Sequence, residues 1–575
     1  MALVLRGMGV SSGVAVGRVF LLHAEPLPIV PDPVPPERVD AEIATFHQAR
    51  ERAAGELEAL KRQVRDELGE RHAGIFDAQR LVLEDPYLVN QTIQRIRIGR
   101  VSARWALKEV VAELTRRFRG VDDEYIRERG GELADVQRRL QRALRGDTAD
   151  EHGLPDEGPL VVVAHTVGPS DAVLLAGKQV AGLATDIGGP TSHTAILAQA
   201  LSLPAVVGLH DLSRRVRAGD PVILDGDSGQ VIVSPDPTAT AEAERRREAS
   251  LALESRMESA RDIPAVTRDG TTIVIRANIE FPGEVERAVS FGAQGIGLYR
   301  SEFLFLSRAP ALPSEEEHEE TYREICAKVS SHPVVIRTLD LGGEKYFHEV
   351  LQPDGVHPVL GLRGIRLCLR RPDIFLPQLR GLLRAAAAHD NLQIMLPLVT
   401  SPGEIREVRA LLAREAEKIR AGGAQARDDI PLGIMVEVPA AAVAADILAR
   451  EADFFSIGTN DLIQYAYAID RRSDALAGLY QPGHPGVLRM LKLIVDGARG
   501  EGIPAAICGE MAAEPQLVDV LIGLGLRELS VQPRAIGPVR DAVRRVDVAE
   551  AEQTAQLALN DVSDQASEAR VQEPS

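Results

Sequence analysis

Three hydrophobic rhythms follow one another along the chain, and each predicts a different architecture. The first residues, LVLRGMGVSSGVAVGRVFLL, alternate apolar and small positions, the pattern of short strands bent at their glycines. A proline-rich break, EPLPIVPDPVPPE, closes that stretch. Over residues 36–146 the spacing changes to three or four. Ile43, Phe46, Ala49, Ala53, Leu57, Leu60 and Val64 form one helical stripe, and Ile126, Leu133, Val136, Leu140 and Leu144 form another. Charged residues fill the other faces, so an all-α bundle is expected, with Asp85-Pro86 starting one of its helices.

Strand texture returns at PLVVVAHTV (159–167) and continues through VAGLAT, LPAVVGL and DPVILDGDSGQVIV. Residues 1–30 and 150–235 are therefore expected to form one small α/β unit, with the helical domain of 36–146 inserted into it. A charged helical linker with weak apolar periodicity follows at 238–262. The second half then repeats strand and helix eight times. Its strands are TIVIRANI (272–279), GIGLYRS (295–301), PVVIRTLD (333–340) and LQIMLPLV (392–399), then LGIMVEVP (432–439), FFSIGTND (454–461), PAAICGE (504–510) and ELSVQ (528–532). This rhythm predicts a (β/α)8 TIM-type barrel over 263–550 and leaves 551–575 as a flexible tail. The fold class is multidomain α/β.

Composition narrows the function classes. No run approaches the ~18 apolar residues of a membrane span, and MALVLRGMGVSSG lacks the apolar core and cleavage site of a secretory leader. Three cysteines without a CxxC pair exclude a disulfide framework or thiolate zinc site and fit a reducing cytoplasm. A formal charge of −18 argues against nucleic acid, whose phosphates would be repelled.

In a barrel of this type, reacting groups come from the C-terminal ends of the strands. Those ends supply Arg300, Arg337, Glu437, Asn460 with Asp461, and Cys508. Any one of them alone reads equally as a solvated strand end or a structural ion pair; all of them on one mouth do not. Two guanidinium groups can grip a phosphate bidentately. Glu437 and Asp461 are hard oxygen ligands suited to Mg²⁺. Arg471, ten residues past Asp461, can reach a second anionic group. Cys508 reads either as packing or as a proton donor. Separately, GGPTSH opens a helical stretch and puts His193 in its first turn, where free N–H groups favour an anion. Imidazole is a nucleophile near neutral pH. A helix-start histidine merely bonded to its neighbours is the competing reading.

The segments GGPTSHTAI and DFFSIGTNDLIQY resemble the two signatures of phosphoenolpyruvate-utilising enzymes, and the domain order resembles the Enzyme I family of bacterial sugar phosphotransferase systems. GMGVSSGVAVG, IFDAQRLVLEDPYL, LYRSEFLF, IRTLDLGGEK and GIMVEVPAA add to the likeness, which spans nearly the whole chain. The resemblance implies that phosphoenolpyruvate binds in the barrel with Mg²⁺ on Glu437 and Asp461. Arg300 and Arg337 would hold its phosphate, assisted by Asn460 and Arg471, with Arg363 a further contact. It implies that His193 takes the phosphoryl group while Cys508 protonates the enolate to pyruvate. It further implies transfer to a histidine of the carrier protein HPr docked on the helical insertion, a homodimer formed through the barrel, and cytoplasmic residence. Three positions depart from the family pattern: Pro190 stands for an arginine, Gly168 for a threonine, and Gln79 for a histidine. Dikinases and synthases that share such a histidine need an ATP-binding module, for which the about 190 residues before His193 leave no room. A catalytically silent scaffold that binds metabolites or proteins is the reading from another class.

Overall fold

The computed structural model describes residues 3–11, 13–22, 30–68, 75–119, 124–145, 158–167, 175, 179–188, 194–195, 198, 203–306, 312–329, 331–341, 360–469 and 480–560. The chain divides into two compact units, residues 1–251 and 252–575.

In the first unit, eight strands make one sheet. They are β1 (Leu3–Arg6), β2 (Met8–Ser11), β3 (Val14–Leu21), β4 (Leu160–Ala164), β5 (Val180–Thr185), β6 (Ala205–Val207), β7 (Pro221–Asp225) and β8 (Gln230–Val233). Their order across the sheet is β1-β8-β7-β3-β4-β5-β6-β2. β3 lies parallel to β4, with Arg18 opposite Leu160, although the entire helical segment separates them in sequence. β4 carries five consecutive buried residues, as a strand covered on both faces must.

Between β3 and β4 run helices Val39–Leu68, Ile75–Glu84, Pro86–Gly99, Ala103–Arg119 and Glu124–Arg145. Their apolar stripes meet in a separate core that includes Phe46, Leu57, Leu88, Ile96, Leu107, Leu133 and Leu140. Pro86 begins its helix as read from the sequence. The missing N–H costs nothing at that position, and the Asp85 carboxylate accepts from the N–H groups of Tyr87 and Leu88.

The second unit holds a closed barrel of β9 (Val274–Ile279), β10 (Ile296–Arg300), β11 (Val334–Arg337), β12 (Leu392–Leu396), β13 (Leu432–Val436), β14 (Phe455–Ile457), β15 (Ala505–Ile507) and β16 (Glu528–Val531). All eight neighbouring pairs are parallel, and β16 closes onto β9 with Glu528 opposite Val274. Period-two alternation sorts the strand residues. Ile275, Ala277 and Ile279, or Val334 and Ile336, join the core between strands and helices. The alternate positions face the barrel axis.

The tail begins later than the sequence pattern implied. Residues 551–559 belong to the helix Val548–Leu559, capped by the Asp547 side chain. Ala551 and Ala555 are buried, and a Cβ on Gly523 would lie 2.0 Å from the Ala551 carbonyl oxygen, so this helix docks closely on Val518–Gly523. An alanine stripe is too small to stand out as hydrophobic periodicity. Its burial depends on a glycine partner supplied from elsewhere in the chain. Residues 561–575 lie outside the described residues. No helix among the described residues is long and apolar enough to cross a membrane.

Candidate active site

Midway along the barrel the inward side chains are apolar. Leu298, Val335, Met395, Met435 and Cys508 pack with Phe454 into a plug. One inward step further along each strand the chemistry changes. Arg300 ends β10 and Arg337 ends β11, and the register makes them direct neighbours. Glu437 follows β13, and Asn460 and Asp461 open the helix Thr459–Tyr467 after β14. Parallel strands thus deliver residues distant in sequence to one mouth.

Three carboxylates meet there. Oxygens of Asp340, Glu437 and Asp461 lie within 4.8 Å of one another, and all three residues are buried. Arg337 sits among them, 3.2 Å from Glu302 and 3.1 Å from Asp340, with the Met435 sulfur at 3.6 Å. Arg363 grips Asp340 bidentately at 3.1 and 2.9 Å and reaches Asp461 at 3.3 Å. Glu302 also accepts from the Asp340 N–H at 2.8 Å, which fixes the turn after β11. Glu437 accepts from the Leu398 N–H at 2.7 Å. Gly458 is obligatory beside it, because a Cβ there would come within 2.8 Å of a Glu437 oxygen.

Charge in this cluster is unbalanced. Among the described residues, the four carboxylates of Glu302, Asp340, Glu437 and Asp461 face two guanidinium groups, Arg337 and Arg363. Burial and the negative charges of Asp340 and Asp461 push the Glu437 carboxyl well above the usual range, despite both arginines. Burial opposes the charge of Arg337, yet Glu302, Asp340 and Glu437 more than offset it and hold the guanidinium pKa above its ordinary value. Arg363 is raised in the same way against burial, chiefly by Asp340 and Asp461. More carboxylates than guanidinium groups among the described residues, all hard oxygen donors, fit a divalent cation such as Mg²⁺, which takes carboxylates and keeps positions for water and substrate oxygens.

The remaining groups surround this centre. Arg300 is partly exposed and paired with Glu280. Asn460 is held from both ends by one residue: its amide donates to Glu510 at 3.0 Å and its oxygen accepts the Glu510 N–H at 2.8 Å. Cys508 is buried beneath the mouth, its S–H directed at the Ile457 carbonyl at 3.5 Å. Burial pushes its thiol up to about 11, so it stays protonated at neutral pH.

The predicted barrel residues Arg300, Arg337, Arg363, Glu437, Asn460 and Asp461 thus come to one mouth with Cys508 in the plug beneath it, whereas Arg471 lies outside the described residues. So do His193, Pro190 and Gly168. Leading toward that histidine segment, β5 ends next to Asp186. The buried Asp186 carboxylate accepts from the Ser213 N–H at 2.8 Å and faces the His165 ring at 3.1 Å. In the helical segment Gln79 is buried, and Glu84 pairs with Arg80 at 3.0 Å. The pattern reading passed over Asp340, Glu302, Glu280 and Glu510. Asp340 and Glu302 stand inside the quoted segments IRTLDLGGEK and LYRSEFLF, which was the available signal.

A barrel mouth that sets buried arginines beside a carboxylate triad has the donors to hold a divalent cation and to grip a small polyanion. Residues 254–548 match the PEP-binding domain of PEP-utilising enzymes, 6–129 their N-terminal domain and 157–229 their mobile domain. A phosphoenolpyruvate-protein phosphotransferase of Bacillus sp. (strain S) is 41% identical over 560 residues, covering 97% of this chain and 95% of that one. Those of Geobacillus stearothermophilus and Staphylococcus carnosus (strain TM300) are 41% and 39% identical, again over 97% of this chain, and 95% and 97% of their own lengths are covered. The chain belongs to the PEP-utilising enzyme family and, within it, is an enzyme of the phosphoenolpyruvate-protein phosphotransferase type.

Proposed function

We propose that the chain moves the phosphoryl group of phosphoenolpyruvate onto His193, releasing pyruvate, and then onto a histidine of the carrier protein HPr, the first step of phosphotransferase-system sugar uptake in the cytoplasm. The observation that carries the barrel half of this reading is the buried cluster of Asp340, Glu437 and Asp461 beside Arg337 and Arg363.

Glu437 and Asp461, with Asp340 as a third donor, would hold Mg²⁺. When bound, that ion would neutralise charge on the phosphate and enol oxygens. Arg337 is buried and locked by carboxylates, so it offers a preorganised donor to a phosphate without needing to reorganise. Arg300, partly exposed and paired among the described residues with Glu280, is the mobile partner: it exchanges that carboxylate for a substrate oxygen. Arg363 and Arg471 complete the anion grip, and Glu510 holds the Asn460 amide in one orientation for the substrate. His193 attacks phosphorus in line, the P–O bond to the enol oxygen breaks, and the departing enolate takes a proton at carbon from the Cys508 thiol. The protonated state of that buried thiol suits the task. The helical segment is the docking surface for HPr, and the barrel is the homodimerisation domain.

Incubation with phosphoenolpyruvate and Mg²⁺ tests this reading. An acid-labile phosphate on His193, absent in His193→Ala and passed on to added HPr, is expected. An unmodified protein that gains no phosphate would turn the reading toward a silent scaffold.

A further inference from the structure

The opposite, N-terminal mouth of the barrel also contains a cavity. It has a volume of about 520 Å³, within the roughly 300–1,000 Å³ of small-molecule pockets. Barrels of this kind normally fill their axis with layers of bulky branched side chains. Here two small residues, Gly297 and Ala506, are among those lining the cavity. Gly297 cannot be enlarged without conflict, since a Cβ there would lie 2.3 Å from the Ser530 hydroxyl.

The polar groups around this cavity are arranged unlike those of the catalytic mouth. Arg276 pairs with Glu528 at 3.1 Å, yet its buried Nε has no hydrogen-bond partner. Gln393, half-buried, brings its amide to the same cavity. One buried unmet donor, the Arg276 Nε, and this amide therefore line a cavity with apolar walls at Val335, Ile430 and Phe454. An unpaired buried donor is costly, and an acceptor oxygen would satisfy it. Across the opening stand Asp428 and Asp429, carboxylates that could take a cation in addition to their pairs with Arg420 and Arg427.

We propose that this cavity binds a small zwitterion with an aliphatic stem, of the class of free neutral α-amino acids. The carboxylate meets Arg276 and Gln393, the ammonium group faces the aspartates, and the stem lies on the apolar wall. A pure anion would bring its charge beside two carboxylates with nothing of its own to offset them, and a pure cation would leave the Arg276 Nε unmet.

The test uses the full chain and three probes of matched shape: L-valine, isovalerate and isobutylamine, titrated by calorimetry and by saturation-transfer NMR. Saturable binding of L-valine, at least about tenfold tighter than either comparator, is expected. Arg276→Met/Glu528→Gln and, separately, Gln393→Leu should each weaken it about tenfold or more. The second variant deletes an amide and leaves the ion pair in place, so it reports even if the first fails to fold. No saturable valine binding, binding unchanged in Gln393→Leu, or equal binding of either comparator would overturn the assignment.

Discussion

The two mouths of one barrel are built from the same eight strands and the same residue types, yet they treat charge in opposite ways. At the N-terminal mouth pairing is close to one to one: Glu528 with Arg276, Asp453 with Arg409 and Asp428 with Arg420, while Arg427 serves both Asp429 and Asp390. At the C-terminal mouth Asp340, Glu437 and Asp461 crowd within 4.8 Å while Arg337 and Arg363 are shared among them. One-to-one pairing is what stability alone would select. Crowded like charge raises the free energy of the empty site, and the proposed binding of a cation and an anion gives a reason for keeping it.

Replacing Glu437 should break this contrast most strongly. Glu437→Gln removes a charge that its neighbours repel, so the variant is expected to melt at or above the temperature of the parent in the absence of metal. Its phosphorylation by phosphoenolpyruvate should fall by about 10³-fold or more, the scale of losing a principal electrostatic contact in a phosphoryl-transfer site. Paired thermal melts and single-turnover phosphorylation measure both. Lower stability together with full activity would make the triad structural.

Cys508 lies between the mouths, in the apolar plug. Cys508→Ala should slow pyruvate formation by about 10²- to 10⁴-fold, as for loss of a positioned acid, while phosphoenolpyruvate binding changes little. The burial-raised thiol pKa of about 11 has its own signature. Alkylation by iodoacetamide should stay slow through pH 9 and accelerate only as the pH nears 11, because the thiolate is the nucleophile. Rapid labelling at neutral pH would place the thiol in a different environment.

A buried group outside both mouths calibrates them. His318, on the helix Glu315–Lys328, is enclosed, with its Nδ1 2.9 Å from the Tyr322 hydroxyl. Burial lowers its pKa to about 3. The folded state thus holds the ring neutral, so its contribution is complete above the unfolded value of about 6.5 and is lost as pH falls from there toward 3. The stability of the barrel unit should decline by up to about 1.4 kcal/mol per pH unit below pH 6 more steeply in the parent than in His318→Leu. Urea unfolding at pH 7, 6 and 5 checks this, and parallel slopes would contradict it.

Much of this was legible in the pattern of the chain, for reasons specific to each part. Eight buried parallel strands leave near-continuous apolar runs such as LQIML and LGIMV, so the barrel announced itself. Charged residues closing those runs gave Arg300, Arg337, Glu437 and Asp461. Asp340 was passed over because it lies in the turn beyond Arg337, and its importance depends on the β13 and β14 ends that converge on it. Glu510 was equally silent, since its value is a two-bond grip on Asn460 fifty residues earlier. The end of the last helix was missed because alanines pack only where a glycine receives them.

The smallest expected effect belongs to the well-paired mouth. Glu528→Gln leaves Arg276, whose side chain is 14% exposed, without its counter-charge. Because solvent reaches the pair in part, the loss should be about 1–2 kcal/mol rather than the roughly 3–5 kcal/mol of a fully buried broken bridge. Phosphorylation by phosphoenolpyruvate should be unchanged within about twofold, since nothing at that mouth touches the reacting groups. Denaturant melts and initial rates on the same preparation decide it. A large fall in rate at preserved stability would mean that the two ends of the barrel are energetically coupled through the strands they share, and the separation of charge economies between the mouths would then have to be given up.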